Sequence, residues 1–131
     1  MKLKELLDAK EPLKRLSEKR FTDYKKMRGL VRLRKAVEQE VEFYATEERK
    51  AVDTYAEHGA DGTPIFLGDG RIRLKDADSK IAFEKELSAL LDTEVDGIEP
   101  ITLCESDFRS TEDIPTPDEM IALEGVIIFE D

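Results

Sequence analysis

The chain has 131 residues with 31 acidic and 21 basic side chains, giving a net charge of −10 at pH 7. Forty per cent of the residues are charged and 40% are hydrophobic, a balance that favours a folded protein over a disordered one. No apolar run reaches the roughly 18 residues of a membrane span, and the charged start MKLKELLDAKEP is unlike a signal peptide. Cys104 is the only cysteine, which excludes an internal disulfide and favours a cytoplasmic protein.

The charge is unevenly distributed. Residues 1–35 hold 13 basic and 5 acidic side chains, a net +8, whereas the 13 acids from Asp92 onward face only one base, Arg109, a net −12. One interpretation is that the basic helices face the acidic segment, within a protomer or between protomers. The alternatives are a basic patch for nucleic acid or an acidic surface for a basic partner.

The first 58 residues are predicted to form two helices. A leucine stripe predicts a first helix that is kinked at Pro12 and ends near Lys19. A second helix is expected over residues 22–58, capped by Thr22 or Asp23. Its apolar residues follow steps of three and four in a narrow seam typical of a coiled coil. Such a helix would be about 55 Å long, which is unusual in a domain of this size.

Residues 63–74, TPIFLGDGRIRL, have the signature of a β-hairpin, because Asp69-Gly70 favours a type I′ turn. Alternation then predicts an aliphatic face of Ile65, Leu67, Ile72 and Leu74, and an opposite face of Phe66, Arg71 and Arg73. An isolated hairpin is marginally stable in water, so a helix of the same chain or a hairpin of another copy must cover the aliphatic face. These seven residues are the predicted protein-interaction site.

A returning helix is predicted over residues 76–92, with Asp76 or Asp78 as its N-cap. The acidic segment 93–131 is expected to be extended, with a strand at ITL. It should contain a short helix that begins with Pro117, capped by Thr116 and closed by Glu119 in a capping box. The final VIIF stretch is either a strand at a sheet edge or a tail docked in a groove.

No catalytic or metal site is predicted. His58 is the only histidine, so the usual nitrogen and sulfur ligands of a zinc site are lacking, and a pair of Cys104 with His58 has no third group to orient it. The aspartates around the hairpin do not follow the spacing of a calcium loop and are explained by turns and caps. We therefore expect no enzyme activity, no cofactor and no small-molecule substrate.

One charged stripe is a second candidate surface. Lys25, Arg28, Arg32 and Lys35 recur at helical spacing and form a possible charged contact stripe. Contact with nucleic acid is conceivable but disfavoured, since the chain is acidic as a whole and few aromatic residues accompany the stripe.

The stretch FEKELSALLDTEV, with IEPITL and IPTPDEMIALEGVI, resembles a family of small uncharacterised phage and prophage proteins of Gram-positive bacteria. The resemblance implies a long helix, a DG-containing insert, a returning helix and a C-terminal TPxxxxALE segment, and it carries no activity. The helix–hairpin–helix order is also similar in shape to prefoldin, a likeness that implies no function.

The sequence thus predicts a single α+β domain, mainly α, over residues 1–131. An antiparallel pair of long helices with a β-hairpin at its tip would pack beside the first helix, and the acidic segment would wrap around them. We expect a non-catalytic, phage-derived protein that acts by protein–protein contact, as an oligomeric assembly or chaperone-like factor. The alternative is an acidic inhibitor of a host nucleic-acid-binding or defence enzyme.

Overall fold

The computed structural model describes residues 1–130 and is α+β, mainly α. Its four helices are α1 (Leu3–Ser17), α2 (Tyr24–Tyr55), α3 (Ala77–Leu91) and α4 (Pro117–Leu123), and its two strands are β1 (Ile101–Cys104) and β2 (Ile127–Glu130). The chain divides into two compact units. We call residues 1–41 with 94–130 the terminal unit, and Glu42–Thr93 the central unit; α2 contributes to both.

The terminal unit has a closed hydrophobic core. Helix α1 packs against α4, and Pro12 lies buried inside α1 without ending it. Burial of these side chains supplies the main stabilisation of the unit, at about 1.5–3 kcal/mol for each large aliphatic residue. The fully buried large side chains come from α1, α2 and the C-terminal segment: Leu3, Leu6, Leu13, Leu16, Leu30, Val37, Leu103, Leu123, Val126 and Ile127.

The two strands of the terminal unit pair in parallel, with Ile101 opposite Ile127 and Cys104 opposite Glu130. The ITL and VIIF segments are therefore strands of one small sheet, joined by a connection that contains α4. Gly29 on α2 lies against this sheet. A Cβ atom at Gly29 would stand 3.2 Å from Cδ1 of Ile101, so the glycine permits a close approach.

Ion pairs join the basic helices to the acidic segment within the terminal unit. Lys26 Nζ lies 2.9 Å from Oδ2 of the buried Asp107, and Arg15 Nε lies 3.2 Å from a carboxylate oxygen of Glu119. Burial alone would raise the pKa of Asp107, but hydrogen bonds from Lys26 Nζ and from the Cys104 backbone hold this pKa below its ordinary value. Part of the predicted charge compensation thus occurs inside one protomer.

The predicted β-hairpin over residues 63–74 is wrong. Within residues 1–130 the only sheet is the parallel pair β1–β2, and residues 63–74 make isolated antiparallel bridges, including Phe66 opposite Ile72. A type I′ turn needs a positive φ at both Asp69 and Gly70, but only Gly70 has one, at 85°. The Asp69 carboxylate instead accepts a hydrogen bond from the Arg71 N–H, a local turn that keeps its own φ negative.

The different turn shifts the pairing by one residue and changes the predicted faces. The Leu67 N–H donates to the Arg71 carbonyl, and the Arg73 N–H donates to the Ile65 carbonyl. A shift of one residue moves side chains to the opposite face. Ile72 therefore shares a face with Phe66, and the predicted all-aliphatic face of Ile65, Leu67, Ile72 and Leu74 does not form.

The predicted starts of α3 and α4 are confirmed, but the predicted end of α2 is wrong. The Asp76 side chain accepts a hydrogen bond from the Ser79 N–H and caps α3. Thr116 and Glu119 form the capping box of α4, with Pro117 as its first residue. Helix α2 is shorter than predicted, with 32 residues, and ends at Tyr55 rather than at His58. Gly59 does not adopt the left-handed conformation expected of a C-terminal cap.

Candidate protein-interaction site

The central unit does not close a hydrophobic core. Its fully buried apolar residues are only Ala51 and Ala56, and no residue of α3 is buried. Its larger apolar side chains are half-buried or exposed, and Ile81 on α3 is 65% exposed. A segment of this length needs buried apolar surface to offset the loss of conformational entropy on folding. The central unit therefore presents apolar surface that is available to a partner.

This surface is centred on a groove of about 1000 Å³. Helix α2 contributes Val52 to its wall, and α3 contributes Phe83 and Leu87. The ring of Phe83 meets the ring of Tyr55 edge to face, with 6.3 Å between centroids, which ties α3 to α2. The residues of the predicted hairpin that line the groove are Pro64, Phe66, Leu67, Gly70, Arg71, Ile72, Arg73 and Leu74.

Six of the seven predicted interaction residues thus come together, and one does not. Phe66 and Leu67 are 63% and 43% exposed, whereas Ile72 and Leu74 are half-buried. Ile65 does not line the groove; its N–H donates to the Glu57 carbonyl. The arrangement offers an apolar floor with two exposed hydrophobic side chains at its edge, which is the geometry of a binding groove for an apolar surface.

Charged residues also line the groove, and some of them are paired within the central unit. The charged lining residues are Glu48, Arg49, Asp53, Arg71, Arg73, Lys80 and Glu84. Arg73 Nε lies 3.0 Å from a carboxylate oxygen of Glu57, and Arg71 pairs with Asp69. Burial, together with a hydrogen bond to Glu48, raises the pKa of Tyr44 to about 12. Two of the three arginines of the groove, Arg71 and Arg73, therefore have carboxylate partners, whereas Arg49, Lys80 and Glu84 form no ion pair within residues 1–130.

Two large apolar residues of the groove wall, Phe83 and Leu87, were missed as interaction residues. Ile81 and Phe43 are also exposed in the central unit, at 65% and 49%, but they do not line the groove. The available signal was the number of large apolar residues in the central unit. The central unit has more large apolar residues than a single contact face between two helices can bury.

The predicted charged stripe belongs to the terminal unit. Lys25, Arg28, Arg32 and Lys35 are all exposed on α2, and within residues 1–130 none of them forms an ion pair. The Arg28 guanidinium lies 5.9 Å from the ring centroid of Tyr24, which is 69% exposed.

The two residues considered for catalysis belong to different units. His58 Nε2 lies 4.0 Å from Asp53 in the central unit, whereas Cys104 belongs to the terminal unit, where its Sγ lies 3.3 Å from Asp107 Oδ2. Across residues 1–130, no group of three or more histidine, cysteine or acidic side chains is placed to hold a metal ion.

Comparison with protein-family models, curated proteins and solved structures finds no match to this chain. The resemblance to phage and prophage proteins therefore stays a prediction. No helix within residues 1–130 combines the length and the apolar character needed to cross a bilayer.

Proposed function

We propose that the protein is a non-catalytic interaction module that self-associates through the groove of its central unit. The observation that carries this proposal is the missing core: the central unit buries only two alanines, while Phe66, Leu67, Phe43 and Ile81 are largely exposed. A second copy would supply the apolar surface that the unit cannot supply to itself.

A second copy is favoured as the occupant because the apolar side chains of the groove can pack against the same side chains of another copy. In a two-fold contact each copy presents the same patch, so apolar side chains must meet apolar side chains. The apolar lining of the groove, with Val52, Phe66 and Phe83, supplies such side chains. Arg71 and Arg73 are paired with Asp69 and Glu57 of their own chain, so these two arginines bring no unpaired charge to the contact.

The cellular role is proposed on different grounds. The resemblance of the C-terminal third supports a phage-derived protein, and the single cysteine supports a reducing, cytoplasmic setting. Self-association without a catalytic site fits an assembly or chaperone-like factor.

An acidic inhibitor of a host nucleic-acid-binding or defence enzyme is the second candidate. Exposed acids of the terminal unit support it, among them Glu99, Glu105 and Glu112. Such an inhibitor would present these carboxylates to a basic cleft, and its binding would weaken steeply with salt. It would not need the groove to be covered by a second copy.

Light scattering on a sizing column tests the proposal on the wild-type protein. We expect a mass of about 30 kDa, twice the 15.0 kDa chain, that persists at high salt because apolar burial drives the contact. A mass of 15 kDa at every concentration and salt would reject the self-association proposal. Salt-sensitive binding of that monomer to an enzyme with a basic cleft would favour the inhibitor.

A further inference from the structure

The terminal unit carries two oppositely charged surfaces whose charged side chains form no ion pair within residues 1–130. The first is the cationic stripe, Lys25, Arg28, Arg32 and Lys35, with Met27 and Val31 exposed along one side of it at 37% and 43%. The second is an acidic cavity of about 600 Å³. It is lined by Glu5 and Asp8 of α1 and by Asp118 and Glu124 at the two ends of α4.

The two surfaces match in charge and in apolar content. Each presents four like charges, and no ion pair within residues 1–130 involves any of these eight side chains. The cavity contains an exposed hydrophobic side chain, Ile121, which is 68% exposed, just as the stripe contains Val31. Charge complementarity together with apolar contact is what gives a protein interface its orientation and register.

We infer that the cationic stripe of one copy binds the acidic cavity of a second copy. This contact is heterologous, because it joins two different surfaces, and so it links copies in series rather than closing a pair. It is independent of the groove of the central unit. Ionic pairs between exposed groups are weak and screened by salt, so the contact forms at low ionic strength and dissociates at high ionic strength.

A phosphate backbone is a poorer occupant of the stripe than a second copy. The net charge of −10 repels a polyanion at long range, and phosphates offer no apolar surface to Met27 and Val31. The acidic cavity offers the stripe both negative charge and an apolar side chain, Ile121. Nucleic acid is therefore the competing outcome that the experiment must separate.

The experiment compares three pairs of substitutions by sedimentation velocity at about 0.05 and about 0.5 M NaCl. Arg28→Ser with Arg32→Ser neutralises the stripe, and Asp118→Asn with Glu124→Gln neutralises the cavity. Lys14→Ser with Lys85→Ser is the matched control, since it removes two exposed positive charges from elsewhere. Circular dichroism confirms that each variant is folded.

We expect the wild type and the control to form a larger species at low salt that disappears at high salt. Each neutralised variant should lack the larger species at both salts. Mixing the two variants should restore it, because one retains an intact stripe and the other an intact cavity. Salt-resistant pairing through the groove should be unchanged in all of them, so this inference and the proposed function can fail separately.

Three results would overturn the inference. They are a wild-type size that does not respond to salt, a larger species that survives neutralisation of the stripe, and a mixture that does not reassociate. A fluorescent DNA duplex is added as a probe. If the duplex binds through Arg28 and Arg32 while protein size does not depend on them, the stripe is a nucleic-acid surface instead.

Discussion

Replacing Leu67 and Ile72 with aspartate is expected to convert the protein from a pair of chains to a monomer. Leu67 is 43% exposed at the edge of the groove and Ile72 lines it, so two carboxylates at these positions would need to be desolvated in the contact. A buried unpaired charge costs several kcal/mol, enough to weaken the contact by a factor of a thousand or more. Light scattering should show the mass falling to 15.0 kDa.

Two controls make this result specific. Ala60→Asp with Ala77→Asp adds the same charge at two exposed positions outside the residues that line the groove, and should leave the mass unchanged. Leu67→Met with Ile72→Leu keeps the surface apolar and should also preserve the pair. An unchanged mass in a Leu67→Asp, Ile72→Asp protein that is still helical would show that the groove is not the contact surface.

Leu103→Ala is expected to destabilise the terminal unit by about 3 kcal/mol, because it opens a cavity in a packed core. Leu103 is fully buried in the middle of β1, at 0% exposure. The matched substitution is Leu87→Ala, which removes the same atoms from the half-buried wall of the groove. In the monomeric Leu67→Asp, Ile72→Asp background it should cost about 1 kcal/mol or less, since little packed structure surrounds it.

Urea unfolding followed by circular dichroism measures both costs on the same background. Because the units can unfold separately, each cost is taken from the transition of its own unit. Equal losses for Leu103→Ala and Leu87→Ala would mean that the central unit has a closed core of its own. The argument for a second copy would then lose its basis.

The helix ends were predictable because the groups that cap them are neighbours in the sequence. Asp76 caps α3 three residues from Ser79, and Thr116 with Glu119 caps α4 over the same interval. Such bonds need no information about distant parts of the chain. The end of α2 was harder to predict, because Gly59 is a suitable C-terminal cap for a longer helix. The helix ends earlier, since Ala56 pairs with Leu74 in an antiparallel bridge.

The pairing of residues 63–74 could not be predicted from the turn residues alone. The Glu57 backbone accepts from the Ile65 N–H and donates to the Arg73 carbonyl, so a third segment fixes the pairing. Contacts of this kind override a local preference for a type I′ turn. The parallel pairing of β1 with β2 and the packing of α1 on α4 are also contacts between distant segments, and no local pattern specifies them.

The candidate site was predictable only in part, because local sequence patterns specify one of its walls and contacts between distant segments specify the other. Phe66, Leu67 and Ile72 stand out locally as apolar residues around a turn, and the structure places them at the groove. The opposite wall, Phe83 and Leu87, depends on how α3 meets α2. A helical stripe of apolar residues predicts that a surface is covered, but not whether the same chain covers it.

Hydrogen–deuterium exchange at several protein concentrations tests the central claim most directly. The experiment is run at about 0.5 M NaCl, where salt dissociates the contact between the stripe and the cavity. If a second copy covers the groove, amides in residues 64–74 and in α3 should exchange more slowly as concentration rises over about a hundred-fold range, while those of α1 should not change. Exchange in the central unit that is independent of concentration, in a protein whose α1 amides are protected, would contradict the claim and show that the groove stays open.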